Sequence, residues 1–142
     1  MSTIPVILTI AGSDCSGGAG IQADIKTISA LKGYAACVIT AVTAQNTTGV
    51  QAVYPIPPDI VRAQIISVTD DLQPAAIKIG MVHNAAIVHT IAECLQKYRS
   101  RFVVYDPVMV STSGRKLMTE DTVCAIQNEL FPLCSLITPN LS

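Results

Sequence analysis

Val6-Ile7-Leu8-Thr9-Ile10-Ala11-Gly12-Ser13-Asp14-Cys15-Ser16-Gly17-Gly18-Ala19-Gly20-Ile21-Gln22-Ala23-Asp24 joins an apolar run to a helical pattern through a turn rich in glycine. Val6 to Ile10 is short, β-branched and too apolar for a strand with one wet face, so it reads as a central strand covered on both sides. After the turn, Ile21, Ile25, Ile28 and Leu31 recur at helical spacing, with Gln22, Asp24, Lys26 and Thr27 between them. Gly17, Gly18 and Gly20 let the backbone approach a ligand, and a helix start offers unpaired N–H groups, so the turn is expected to hold an anion or a polar heterocycle, or to be a tight turn with no ligand. The spacing of a dinucleotide fingerprint and the Gly-Lys-Ser/Thr ending of a P-loop are both missing, so a nucleotide must be held another way.

Outward from this unit, strand and helix alternate. Ala36 to Val42 reads as a buried strand that ends in the polar segment Thr43 to Thr48, and Val50 to Ile56 as a short alternating strand. Pro57-Pro58-Asp59 opens a helix reaching Leu72. A strand over Ala75 to Ile79 precedes a helix from Asn84, its expected N-cap, to Tyr98. Phe102 to Tyr105 is a strand, Thr119 caps a helix from Glu120 to about Leu130, and Ser135 to Ile137 closes the series. The alternation predicts one α/β domain over residues 1–142, with a mainly parallel sheet and helices on both faces.

The chain has 142 residues, half of them hydrophobic, a net charge of −1 and 13% charged residues. That length supports a real core. The weak charge, with no basic cluster or aromatic platform, argues against nucleic acid as a partner. No run reaches the ~18 apolar residues of a membrane span, and no targeting signal is visible. The five cysteines, Cys15, Cys37, Cys94, Cys124 and Cys134, contain no CxxC pair and are odd in number, which reads as reduced thiols of a cytoplasmic protein.

In an open parallel sheet, ligands bind beyond the carboxyl ends of the strands. Asp14, then Gln45 and Asn46, then Met81 and His83, then Asp106, then Asn140 each follow a strand, so one sheet edge gathers them. Asp106, between a buried strand and Pro107, suits a cation or a donor-rich ligand, or else caps its turn. Lys78, between isoleucines, is read either as reaching a phosphate or carboxylate or as a solvated stem. His83 and His89 lack a partner at metal-ligand spacing and read as surface or packing residues, and Cys15 reads as a small filler of the loop.

Residues 11–26 (AGSDCSGGAGIQADIK), Thr43-Ala44-Gln45-Asn46-Thr47, Lys78-Ile79-Gly80-Met81, Tyr105-Asp106-Pro107-Val108-Met109 and Thr138-Pro139-Asn140-Leu141 resemble the hydroxymethylpyrimidine and phosphomethylpyrimidine kinases of thiamine biosynthesis. The resemblance implies a three-layer, ribokinase-like α/β/α fold, incomplete at the C-terminus. It also implies ATP-dependent phosphorylation of 4-amino-5-hydroxymethyl-2-methylpyrimidine and then of its monophosphate. By the same resemblance Asp24 and Gln45 bond the pyrimidine, Gly12, Ala19, Met81 and Val108 wall it, Asp106 lies near the ATP phosphates and Mg2+, and Asn140 contacts the nucleotide. A homodimer is implied as well.

The family pattern continues with a glutamate about three residues after the asparagine and a Gly-Thr-Gly-Cys segment that forms an anion hole and bears the catalytic base. This chain contains neither, so no catalytic base is assigned to it and self-association or a complementing partner is expected. Two other readings stand beside the kinase: a noncatalytic pyrimidine-binding or assembly module, and a pyridoxal or pyridoxine kinase of the same fold, against which Gln45 speaks.

Overall fold

A computed structural model describes residues 3–107 and 118–138. Its elements run β1 (Val6–Asp14), α1 (Gly20–Ala30), β2 (Tyr34–Asn46), β3 (Gly49–Pro55), α2 (Pro58–Leu72), β4 (Ala76–Ile79), α3 (Ala85–Lys97), β5 (Phe102–Tyr105), α4 (Glu120–Ala125) and β6 (Leu136–Ile137). The sheet has the order β3-β2-β1-β4-β5-β6. All its pairings are parallel except β2 with β3, which makes the sheet mixed, with one antiparallel edge.

The chain leaves β1 toward β2 and later returns to β1's other side with β4. Right-handed crossovers running in opposite directions place their helices on opposite faces. Accordingly α1 packs on β1 and β2, whereas α2 and α3 pack together on the other face with α4 beyond them. The main core lies on the α2–α3 face, where Leu8, Ile10, Val38, Ile77, Ile79, Val103 and Tyr105 from the strands meet Val61, Ile65, Ile87, Val88 and Ile91 from the helices. Truncating a fully buried isoleucine here to alanine costs about 2–5 kcal/mol. The opposite face of β5 and β6 is barer, with Phe102 at 51% and Leu136 at 55% exposure.

Three local outcomes differ from the sequence reading. β2 runs on to Asn46 and β1 to Asp14, because β3 gives the far half of β2 a partner and β2 gives one to β1. Thr43 to Asn46 are therefore strand, though their polarity reads as loop. The helix from Glu120 stops being α at Ala125 and continues as a π-helical turn, Ile126–Leu130, then a 3-10 turn, Phe131–Leu133, which contains Pro132. Pro132 lacks an N–H, so the ladder cannot continue through it. The caps agree with the sequence: Asn84 accepts from Ile87 N at 2.9 Å, and Thr119 from Thr122 N at 3.3 Å. Helix α1 ends with Lys32 at φ 69° and Gly33 N donating to Ile28 O at 2.9 Å, a closure in which glycine usually takes the left-handed residue.

Candidate functional site

The winding direction reverses between β1 and β4, the switch point at which an open α/β sheet opens a crevice. Pairing of β1 with β4 ends at Ile10 and Ile79, and the last rung is Gly80 N donating to Ile10 O at 2.8 Å. Beyond it β1 pairs with β2 alone, and the chain after β4 leaves the sheet ladder at Gly80 and Met81. Gly12 and Met81 flank the gap: a Cβ on Gly12 would lie 3.6 Å from the Met81 sulfur and methyl. Thr40 of β2 fixes the Met81 carbonyl by donating to it at 2.7 Å.

The glycine-rich turn is held from within. Asp14, only 3% exposed, accepts from Ser16 N at 2.9 Å, Ser16 Oγ at 2.7 Å, Gly18 N at 2.9 Å and Ala19 N at 2.8 Å. Burial pushes this carboxyl's pKa up, but the hydrogen bonds from Ser16, Ala19 and Gly18 together outweigh it and hold the group below the usual carboxylate value. Gln22 accepts from Asp14 N and donates to Ser13 Oγ, both at 2.8 Å, and Lys26 donates to Gly17 O at 2.9 Å. These donors are already engaged, so of the readings the sequence left open for this turn, an anion, a polar heterocycle or no ligand, the geometry speaks against the anion. Its glycines serve packing instead. Gly20 has φ +59°, and a Cβ there would sit 2.3 Å from Gly12 O.

Asp24 lies one helical turn beyond Gly20, over β1 and β4. Thr9 Oγ1 donates to its Oδ2 at 2.6 Å, and Lys78 Nζ donates to Oδ1 at 3.0 Å and Oδ2 at 2.8 Å. Of the two sequence readings of Lys78, the structure selects the carboxylate. Gln45 sits near the end of β2, half-buried. The Thr43 hydroxyl lies 2.7 Å from Ser13 O and 2.8 Å from Gln45 Oε1. It has one proton, so it serves one acceptor at a time, and a half-turn of the Gln45 amide lets both contacts form with the amide nitrogen donating to the hydroxyl. Cys15, exposed, has its sulfur against the Gln45 backbone, 3.2 Å from the carbonyl and 3.3 Å from the nitrogen.

Asp106 closes the row at the end of β5, its backbone N bonded to Ile79 O at 2.9 Å and its carboxylate without a partner among the described residues. Ala19 is exposed at the start of α1. Gly12, Asp24 and Met81 thus lie at the switch point, with Gln45 at the end of β2 and Asp106 at the end of β5 each one strand away on opposite sides. Val108 and Asn140 fall outside the described residues. Sequence reasoning missed Thr9, Thr43 and the structural task of Asp14. The one available signal was a threonine interrupting an otherwise aliphatic strand, since a buried hydroxyl needs an acceptor.

His83 is half-buried beside this edge. His89 belongs to a separate surface cluster, with Nε2 2.7 Å from Glu93, Nδ1 2.6 Å from Glu129, and Glu93 also paired with Arg62 at 2.5 Å. No group of His, Cys, Asp and Glu that could hold a metal ion occurs among the described residues. All five cysteines are free thiols, and burial pushes Cys134 up to about 11. No described helix is long and apolar enough to cross a membrane.

A family model described as phosphomethylpyrimidine kinase matches residues 14–142. The hydroxymethylpyrimidine/phosphomethylpyrimidine kinase of Escherichia coli K12 is 54% identical over 134 residues, which cover 94% of this chain and 50% of that protein. The crystal structure of a phosphomethylpyrimidine kinase from Clostridium difficile 630 superposes with a TM-score of 0.92 at 50% identity, covering 96% of this chain and 59% of that one. The pyridoxal kinase of Staphylococcus aureus, solved with AMP-PCP and pyridoxal, gives a TM-score of 0.84 at 34% identity, covering 99% of this chain and 49% of that one. The fold is thus that of the ribokinase-like kinases. The chain spans about half the length of the curated relatives it matches. It belongs to the phosphomethylpyrimidine kinase family.

Proposed function

We propose that this chain carries the substrate-recognition part of an ATP-dependent kinase that phosphorylates 4-amino-5-hydroxymethyl-2-methylpyrimidine and its monophosphate. The observation that carries this reading is that Gly12 with Met81, and the Asp24–Lys78 pair, both lie at the β1–β4 switch point of a chain 54% identical to such a kinase. An aminopyrimidine ring presents donors and acceptors in its plane and apolar faces above and below. The carboxylate of Asp24 and the amide of Gln45 supply the polar partners. Met81 against the bare backbone of Gly12 supplies a flat apolar wall, to which Ala19 and Val108 add.

Asp106, with no partner among the described residues, fits magnesium, which takes one or two carboxylates and completes its shell with phosphate oxygens and water. Bound there, the ion would neutralise charge on the nucleotide phosphates. Asn140 is the proposed nucleotide contact, and a homodimer the proposed assembly. The pyridoxal kinase neighbour supports a second reading, vitamin B6 as substrate, and Gln45 is the side chain on which the two part.

Calorimetric titration of the chain with the hydroxymethylpyrimidine and with pyridoxal, followed by an ATP-dependent phosphorylation assay, tests this. Saturable binding of the pyrimidine over pyridoxal is expected. Preference for pyridoxal, or binding of neither, refutes it. Pyrimidine binding without turnover would identify the chain alone as a recognition module.

A further inference from the structure

The ion pair between Lys78 and Asp24 is the least exposed among the described residues, its side chains at 27% and 18% exposure. Lys78 stands on β4 between Ile77 and Ile79, which face the main core, so its own side chain lies on the α1 face. A charge held there against a sheet is costly unless compensated. Nζ straddles both oxygens of Asp24, at 3.0 Å and 2.8 Å, and Thr9, fully buried, adds a third hydrogen bond at 2.6 Å to Oδ2.

A carboxylate offers about four lone-pair positions, two on each oxygen. Oδ2 uses both, on Lys78 and Thr9. Oδ1 uses one, so a single acceptor position remains, on Oδ1. The pair also lies against the crevice: a Cβ on Gly80, the residue where β1 and β4 part, would be 3.0 Å from Nζ and 2.9 Å from the Ala11 Cβ.

We propose that Lys78 is a positioning residue for ligand selectivity: with Thr9 it holds Asp24 as a fixed, charge-compensated acceptor whose one remaining lone pair, on Oδ1, takes the exocyclic amine of a neutral aminopyrimidine. This rests on the proposed function. Compensation matters because a free carboxylate would draw cations, whereas a paired one rewards a neutral N–H donor. Fixation matters because a ligand bearing a carbonyl oxygen in place of the amine sets acceptor against acceptor, and Asp24, tethered to two strands, cannot turn away.

The test uses the full chain and two probes, 4-amino-5-hydroxymethyl-2-methylpyrimidine and its 4-oxo analogue, titrated calorimetrically into wild type, Lys78→Met and Lys78→Arg. Wild type is expected to favour the amino probe by at least about 10-fold, since a site built around a hydrogen bond rejects an analogue lacking it. Lys78→Met is expected to bring that ratio below about 3-fold, and Lys78→Arg, which keeps the charge and can bond both oxygens, to restore most of it. A merely structural role would weaken both probes alike and leave the ratio unmoved, and an unmoved ratio overturns the proposal.

A ligand-free arm stands beside it, a thermal double-mutant cycle of Lys78→Met and Asp24→Asn. The double variant is expected to lose less Tm than the sum of the two losses. Additive losses overturn the coupling. Coupling in the cycle with neither probe bound by wild type overturns the amine assignment through the failure of the functional reading, and the two failures are thereby told apart.

Discussion

Tyr105 is the largest fully buried side chain, and its hydroxyl is the one buried side-chain polar atom among the described residues that has no hydrogen-bond partner. Its ring meets Phe131 edge-on at 5.8 Å, so the aromatic body is well used while the oxygen is not. Burying a hydroxyl without a partner costs ~1–3 kcal/mol, whereas the packing lost with one oxygen atom is a fraction of that. Tyr105→Phe keeps the ring and removes the orphan, so it should stabilise the chain by ~1 kcal/mol and raise Tm by ~3–4 °C. Thermal unfolding at pH 7, followed by far-UV circular dichroism, reads this directly.

Alkaline pH gives a second readout. Burial, followed by the nearby Cys134 and Asp106, raises the phenol's folded pKa above its ordinary 10.0. A raised folded value means that the contribution is fully present below pH 10 and is lost as pH climbs through the folded value, because the unfolded chain ionises first. Wild type should therefore lose stability above pH 10 faster than Tyr105→Phe. Destabilisation by the substitution at pH 7, or parallel alkaline curves, would refute the reasoning by showing that the hydroxyl has a partner.

Asp14→Asn should cost about 2–4 kcal/mol, because a neutral amide cannot accept what a carboxylate takes from four donors; denaturant midpoints and faster amide exchange at Gly18 and Ala19 check it. Gly20→Ala should lose ~3 kcal/mol or more, since a Cβ 2.3 Å from a backbone oxygen forces the β1–α1 junction apart, and a chain of unchanged Tm would contradict this. Lys32→Gly should gain ~1 kcal/mol in the same assay by relieving a left-handed φ of 69° at a helix end.

The surface cluster predicts a pH window. The hydrogen bond to Glu129, then the charge of Glu93, raises His89 above 6.5, so its contribution is full below 6.5 and fades as pH rises through the folded value. The hydrogen bond from Arg62, then the charge of His89, lowers Glu93 below 4.5, so its contribution is full above 4.5 and fades on acidification. The Tm gap between wild type and His89→Gln should accordingly be widest between pH 4.5 and 6.5; a gap constant from pH 4.5 to 9 would count against the cluster.

The alternation of strands and helices was legible because each obeys a local rule. Val6 to Ile10 and Ala76 to Ile79 are short β-branched runs, and Asn84 and Thr119 have the side chains that cap helices. What was not legible depends on partners distant in sequence. The polar residues Thr43 to Asn46 became strand only because Gly49 to Pro55 folds back along them. The π turn at Ile126 to Leu130 leads into Phe131, which meets the Tyr105 ring 26 positions (131 − 105) earlier, a contact that no local rule announces. Sequence placed Asp24 and Lys78 in the site region, but their pairing across 54 positions is a property of strand order alone.

The glycine-rich turn shows most sharply why motif and geometry must be read together. Its composition fits a phosphate cradle, yet a carboxylate sits where the anion would be. Asp14 is in effect a built-in anion, filling backbone donors that a phosphate would otherwise take. A second anion there would face an ionised carboxylate in a nearly closed environment, and the repulsion opposes its binding. Under the proposed function the turn borders a neutral pocket at the switch point, near Met81 and Asp24. At the end of β5 the Asp106 carboxylate stands without a partner among the described residues, and under the proposed function it would meet phosphate charge through a bound magnesium ion.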